Sequence, residues 1–304
     1  MEFVPLGEGL VPGVARLINR CLEFEAVTPW TVSRCTILDP NFDPEVTIVA
    51  LDKSEPVGVV LGAQRIRAPP ELVSPVHGWI KLAVVEPRYM QSGLADQLLL
   101  AVERSLKSKE AKDVRVSDFA GWLFWPGIDL RYQDLLRFFG DHGYVKVNVS
   151  VEYEVDLLGM RIPSVILEKE ATLAEKGYVL SIPDQEQRGD IFEWVHSNFG
   201  PLYSHEASEA FRHDIPSLWL AYKGNEIVGF SAHGTSELDW FGPIGVIESE
   251  RRKGIGSVLL YKGLMSMKEE GRRIALISCN PHLFFAQIPS IRAVRDYLIL
   301  SKKL

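Results

Sequence analysis

Two hydrophobic rhythms alternate along the chain. Over residues 11–23 apolar side chains recur at helical spacing (Val14, Leu17, Ile18, Leu22), which predicts an amphipathic helix. Residues 46–51 and 57–61 are β-branched runs joined by Asp52-Lys53-Ser54-Glu55-Pro56, the pattern of a hairpin. Residues 79–85 are almost continuously apolar, as expected of a strand buried on both faces. Residues 93–109 then place Leu94, Leu98, Val102 and Leu106 on one stripe of a long helix. A short strand at 114–116, a helix at 132–142 and a long alternating strand at 144–157 complete this half.

The same order recurs downstream. A strand is expected at 178–182, helices at 185–199 and 204–213, and a hairpin of 218–222 and 227–231 about Lys223-Gly224-Asn225-Glu226. A strand at 240–246 leads through a glycine-rich turn into a helix at 256–270, followed by a strand at 274–278, a short helix at 281–287 and a last strand at 293–300. Matching order implies an internal duplication, with domains at 1–158 and 163–304 separated by LGMRIP. The polar helical stretch 168–176 belongs either to the linker or to the start of the second domain.

Composition fits two packed α/β domains. The 304 residues are 46% hydrophobic and 24% charged, and the net charge of −7 disfavours nucleic acid and anionic lipid as partners. Cys21, Cys35 and Cys279 are widely spaced, show no metal-ligand pattern and are expected as reduced thiols; no metal is expected. MEFVPLGEGL lacks the order of a secretory signal, and no apolar run reaches the ~18 residues of a membrane span, so a soluble cytoplasmic protein is expected.

The candidate chemistry lies in Val246-Ile247-Glu248-Ser249-Glu250-Arg251-Arg252-Lys253-Gly254-Ile255-Gly256. A helix N-terminus here offers unpaired N–H groups and the positive end of its dipole. Gly254 and Gly256 permit close approach of a ligand, and Arg251, Arg252 and Lys253 add charged donors. A phosphate or pyrophosphate is the natural guest. The first half holds a counterpart, Val85 to Ala95, in which Val85 and Gly93 keep the spacing of Val246 and Gly254. A dinucleotide-binding Gly-x-Gly-x-x-Gly is the weaker reading, because Leu259 occupies the third glycine position and the turn follows the fourth strand of its domain rather than the first.

These residues resemble the GNAT acetyltransferase superfamily, whose (Arg/Gln)-x-x-Gly-x-(Gly/Ala) turn follows the fourth strand. The second half matches with Arg251, Gly254 and Gly256. The first half keeps Gly93 and Ala95 but has Met90 in the Arg/Gln slot. The two-copy arrangement is similar to mycothiol synthase and related tandem GNAT proteins. The resemblance implies two tandem domains, each a mixed, mostly antiparallel sheet flanked by helices with a splayed central strand. It implies acetyl-CoA as co-substrate, held at the pantetheine by Ile244, Gly245 and Val246 and at the pyrophosphate by Arg251, Arg252, Lys253, Gly254, Ile255, Gly256 and Ser257. It also implies an N-acetyltransferase whose acceptor is a small-molecule or peptide primary amine, acting as a monomer or homodimer.

An alkyl ammonium is only about one part in a few thousand neutral at pH 7, so a base is required. Glu237 and Asp239, just upstream of Trp240, are the carboxylates in the expected place, with His233 a substitute. Pro243 fits a bulge in the same strand. The family's Phe-Tyr pair, which supplies a general acid, is replaced by Phe138-Phe139 and Phe284-Phe285, leaving Tyr261, Tyr297 and Tyr203 as candidates. That replacement keeps a second reading open, a non-catalytic acyl-CoA-binding or regulatory module. The aromatic segment 118–129 reads either as a hydrophobic plug or inter-domain contact or as an acceptor wall. Tyr203 and His205 are candidate acceptor contacts.

Overall fold

The computed structural model describes residues 1–212, 214–279 and 283–304. The chain forms two compact units, Met1–Ser150 with Asp296–Leu304, and Val151–Arg295.

The first unit contains β1 (Glu2–Pro5), α1 (Val11–Cys21), α2 (Pro29–Cys35), β2 (Thr47–Asp52), β3 (Glu55–Arg65), β4 (Ser74–Val85), α3 (Leu94–Ser108), β5 (Asp113–Val116), β6 (Ile128–Asp129) and α4 (Gln133–Asp141). The strand β7 (Val145–Asp156) leads into the second unit, which contains α5 (Ser164–Glu175), β8 (Tyr178–Ser181), α6 (Arg188–Phe199), α7 (Pro201–Glu209), β9 (Leu218–Lys223), β10 (Glu226–His233), β11 (Phe241–Val246), α8 (Ile255–Glu269) and β12 (Ile274–Cys279). The last strand, β13 (Ile291–Lys303), ends in the first unit.

In the first unit β1 to β4 form an antiparallel meander, and β4 pairs with β5 in parallel. Each face of this sheet is covered by helix. The α3 stripe Leu94, Leu98, Val102 and Leu106 packs with Val57, Val60 and Ile80, while Val14, Leu17 and Ile18 of α1 pack with Val59, Leu61 and Leu82. Such side chains each contribute roughly 1.5–3 kcal/mol on burial, and β3 is therefore apolar on both faces. The second unit repeats the scheme. Its antiparallel sheet runs β11-β10-β9-β8, with α8 contributing Val258, Leu259 and Leu264 to one core and α6 contributing Ile191 and Val195 to another.

The mixed α/β architecture and the splayed central strands agree with expectation. The expected domains were contiguous segments; the second compact unit is contiguous, whereas the first also takes in Asp296–Leu304. Residues 300–303 pair antiparallel with β5 of the first unit, and residues 151–156 of β7 pair antiparallel with β12 of the second. The segment 158–163 accordingly lies inside the second unit, just past β7. Strand partners this far apart in sequence leave no local signal.

Three elements were not anticipated: the short edge strand β1, the two-residue β6, and α2. The last had a readable start, since Thr28 forms a reciprocal capping box with Thr31 ahead of Pro29. The expected ends of two elements, at 213 and 281, lie outside the described residues. Among the described residues no helix is long and apolar enough to cross a membrane.

Candidate active site

In the second unit the glycine turn joins β11 to α8. After β11 a single 3-10 turn (Glu248–Glu250) leads through Arg251 and Arg252 to Gly254, which caps α8 in the left-handed conformation (φ 95°). Gly254 offers no side-chain cap, and the first-turn amides of α8 have no partner within the helix. A side chain at Gly254 would be strained by its φ and would meet the Lys169 stem at 3.4 Å. The ring of Phe284 lies over Gly256, so Lys169 and Phe284 border the turn. Ser257 Oγ donates to Gln287 Oε1 at 3.0 Å.

Glu250 anchors this turn. Its carboxylate accepts a short hydrogen bond from the Tyr178 hydroxyl and lies 2.9 Å from Lys253 Nζ and 3.3 Å from Lys223 Nζ. The Tyr178 hydroxyl, and then Lys253, hold the carboxyl down to about 2. Two of the three predicted cationic donors are therefore partly committed. Lys253 pairs with Glu250, and Arg251 Nε donates to the Val246 carbonyl at 3.0 Å. Arg252 is exposed at φ 62°.

The strand beside the turn is open on one edge. β11 pairs with β10 at Val246, Gly245 and Ile244, then slips register so that Gly242 and Pro243 together face Ala232. This is the bulge expected at Pro243. On the other side, among the described residues, β11 meets β12 at a single bridge, Trp240 to Leu276, beside a 2.7 Å bond from Leu276 N–H to the Asp239 carbonyl. Beyond this vertex, among the described residues, Ile244, Gly245 and Val246 have no ladder partner on the β12 side. Apart from the Val246 carbonyl, which accepts from Arg251 Nε, this edge is of the kind to which an extended ligand adds hydrogen bonds.

Helices α6 and α7 flank this strand. The Phe199 ring, at the end of α6, stands where a side chain at Gly245 would be, within 2.6 Å of its ideal Cβ. Tyr203 meets that ring edge-on at 6.2 Å. Glu237 and Asp239 precede β11 at the vertex. His233, on β10, is buried and bonded through Nε2 to Glu270 Oε1 at 2.7 Å, which commits one nitrogen to the C-terminal end of α8, away from the glycine turn. Tyr261 is buried in the core, which raises its hydroxyl above the ordinary range. Tyr297 belongs to the first unit, in register with Asp129. Of the three tyrosines only Tyr203 lies on α7, the helix packed against β11.

One residue escaped the sequence reading. Glu206, on α7, is half-buried, and burial alone lifts its carboxyl to about 7. A polar helix position flanked by His205 and Ala207 carries no sequence signal for this, because the desolvation arises from packing.

The first unit has the same turn with a different neighbourhood. Gly93 caps α3 at φ 73°, and α3 and α8 are both 15 residues long. Here β4 and β5 pair from His77 to Ile80 and then part. The opening is filled by Lys81, whose ammonium bonds to Asp39 Oδ2 and the Cys35 carbonyl, each at 2.6 Å, and sits 4.5 Å from the Phe119 ring. Phe119, Trp122 and Phe124 are buried, which makes 118–129 a plug within this unit. A cavity of about 30 Å³ remains beside Lys81, Ser117 and Trp125, room for about one water.

Residues 188–287 match the model of the acetyltransferase (GNAT) family. That match lies wholly within the second unit. Solved structures extend the likeness of fold to both units. A tandem GNAT protein from the clavulanic acid biosynthesis pathway is 14% identical, with 99% of this chain and 98% of that one covered at a TM-score of 0.68. A GCN5-related N-acetyltransferase from Sphaerobacter thermophilus is 17% identical, with 99% and 95% covered at 0.71. The glucosamine N-acetyltransferase region of a fungal multi-domain β-N-acetylglucosaminidase is 15% identical at 0.77; 99% of this chain is covered, and it spans 38% of that protein. No curated protein matches. The chain thus has the tandem GNAT fold, and its family-model match falls on the unit with the open strand.

Proposed function

We propose that this chain transfers an acetyl group from acetyl-CoA to a primary amine, using the second unit. The observation that carries the reading is the pairing of a β11 edge that has no β12 ladder among the described residues with an uncapped α8 N-terminus behind Gly254. First-turn amides of α8, from Ile255 to Ser257, would receive the pyrophosphate, with Arg251, Arg252 and Lys253 around it. The edge of Ile244, Gly245 and Val246 would align the pantetheine as an added strand. A backbone N–H on that edge would stabilise the oxyanion formed at the thioester carbon, an interaction worth about 10²–10³ in rate where such donors have been removed.

Glu237 and Asp239 are the carboxylates proposed to receive the displaced proton. From the vertex of the splay they would reach an amine in mid-strand through water. Both glucosamine and peptide amines suit the acceptor class, the former by likeness to the fungal region. Phe284 and Phe285, which lack a hydroxyl, favour the second reading, an acyl-CoA-binding module without turnover.

Calorimetry with acetyl-CoA, followed by CoA release with spermidine, glucosamine and a lysine peptide, separates the outcomes. Binding with turnover supports the transferase. Binding without turnover on any amine supports the module, and absence of binding removes both.

A further inference from the structure

Contacts at the two ends of α7 fix where Glu206 stands along β11. At the head of the helix Phe199 covers Gly245. Past its tail, Ser217 N–H donates to the Ala210 carbonyl at 3.0 Å, His233 N–H donates to the Ser217 carbonyl at 3.0 Å, and His233 is in register with Phe241. The helix therefore runs from beside Gly245 to the level of Phe241, ending next to Ser217 at the head of β9, and it contacts β11 on the way. Glu206 falls level with the middle of β11, where Gly242 and Pro243 bulge opposite Ala232. Tyr203 is one turn earlier on the same face, and its contact with Phe199 ties that face to the ring covering Gly245.

We infer that Glu206 is the general base of the acyl transfer, placed along the middle of β11 to take a proton from the acceptor ammonium; the inference rests on the acetyl-CoA reading above. Among the described residues no ion pair or hydrogen bond to its carboxylate occurs. Burial accounts for its upward shift alone: Arg188, Asp190, Glu193 and His196 on α6, His205 and Glu209 on α7, and Arg212 just after it add no resolved effect. A carboxyl that titrates near neutral pH is matched to proton transfer under working conditions.

The step balances as follows. One proton of the ammonium passes to the Glu206 carboxylate, and the freed nitrogen lone pair forms a C–N bond to the thioester carbon. The C–S bond breaks with its electron pair on sulfur. The excess proton on nitrogen passes to that thiolate, and Glu206 releases its own proton to water. The products are an acetamide, CoA thiol and one proton. Glu237 and Asp239, at the vertex, would receive that proton from Glu206 through water rather than from the ammonium directly.

Three readouts on the full chain test this. Glu206→Gln should bind acetyl-CoA within about twofold of wild type by calorimetry. Its turnover on the amine panel should fall about 10²–10⁴-fold, with the limb near pH 7 in kcat/KM lost and partial recovery in Glu206→Asp. Independently of any acceptor, carboxyl ¹³C NMR of wild type, with Glu206 assigned by its loss in Glu206→Gln, should show titration near 7 and a shift on adding acetyl-CoA. An amine turned over by wild type and equally by Glu206→Gln overturns the assignment. So does a Glu206 resonance that bound acetyl-CoA leaves unmoved. Failure of wild type to bind acetyl-CoA overturns the underlying reading instead.

Discussion

The two units place the same helix behind the same left-handed glycine, yet the space beside the preceding strand differs. Beside β4 it is closed by Lys81, Asp39 and the aromatic plug from Phe119 to Phe124. Beside β11 the β12-facing edge beyond the vertex carries no ladder among the described residues, and the nearby α7 brings a desolvated carboxylate. A glycine turn is thus a structural requirement of the strand-to-helix connection in both units. What separates a candidate site from a packed core is the occupant of the splay. The basic residues differ too, since Met90 stands exposed where Arg251 stands in the second unit.

Breaking the closed side should have the largest effect. Lys81→Met leaves Asp39 buried without its cation and should destabilise the chain by about 3–5 kcal/mol in denaturant unfolding. It should not create a second acetyl-CoA site, because the aromatic plug stays. The paired glycine variants sharpen the contrast. Gly254→Asp puts charge and a strained φ where phosphate would sit and should weaken acetyl-CoA binding at least about 100-fold, about 2.7 kcal/mol. Gly93→Asp, at φ 73°, should lower stability by about 1–2 kcal/mol and leave calorimetric affinity unchanged.

Stability against pH gives a third, smaller effect. A carboxyl near 7 in the folded chain and near its ordinary 4.5 in the unfolded one opposes folding once ionised, so stability falls as pH rises from 4.5 to 7. Glu206→Gln should therefore match wild type below pH 4.5 and exceed it above pH 7 by about 1–3 kcal/mol in urea melts. The smallest change is expected at the vertex. Glu237→Gln and Asp239→Asn should each lower turnover about tenfold, short of the ~10²–10⁴ of a base in direct contact, with acetyl-CoA affinity unaltered.

Much of this contrast could be read before any coordinates. The helical stripe of Leu94, Leu98, Val102 and Leu106 and the hairpin at Lys223-Gly224-Asn225-Glu226 are local patterns, and both formed as expected. The Arg251-to-Gly256 turn was legible because a helix start and its charges sit within a few residues. Lys81 left a trace, as a lone cation inside an otherwise apolar strand, but its partner Asp39 is remote in sequence and invisible to periodicity. Glu206 left none: its environment is assembled by α6 and β11 around an unremarkable helix position. Likewise, residues 296–304 look like the closing strand of their own half, and only long-range pairing sends them to β5.

A crystal structure of the full chain with acetyl-CoA tests the central claim most directly. The pyrophosphate should sit on the amides of Ile255 to Ser257, with the thioester beside the bulge of β11 and nothing bound at α3. Density at Gly93, or an unfilled β11 edge with acetyl-CoA bound elsewhere, would contradict the account.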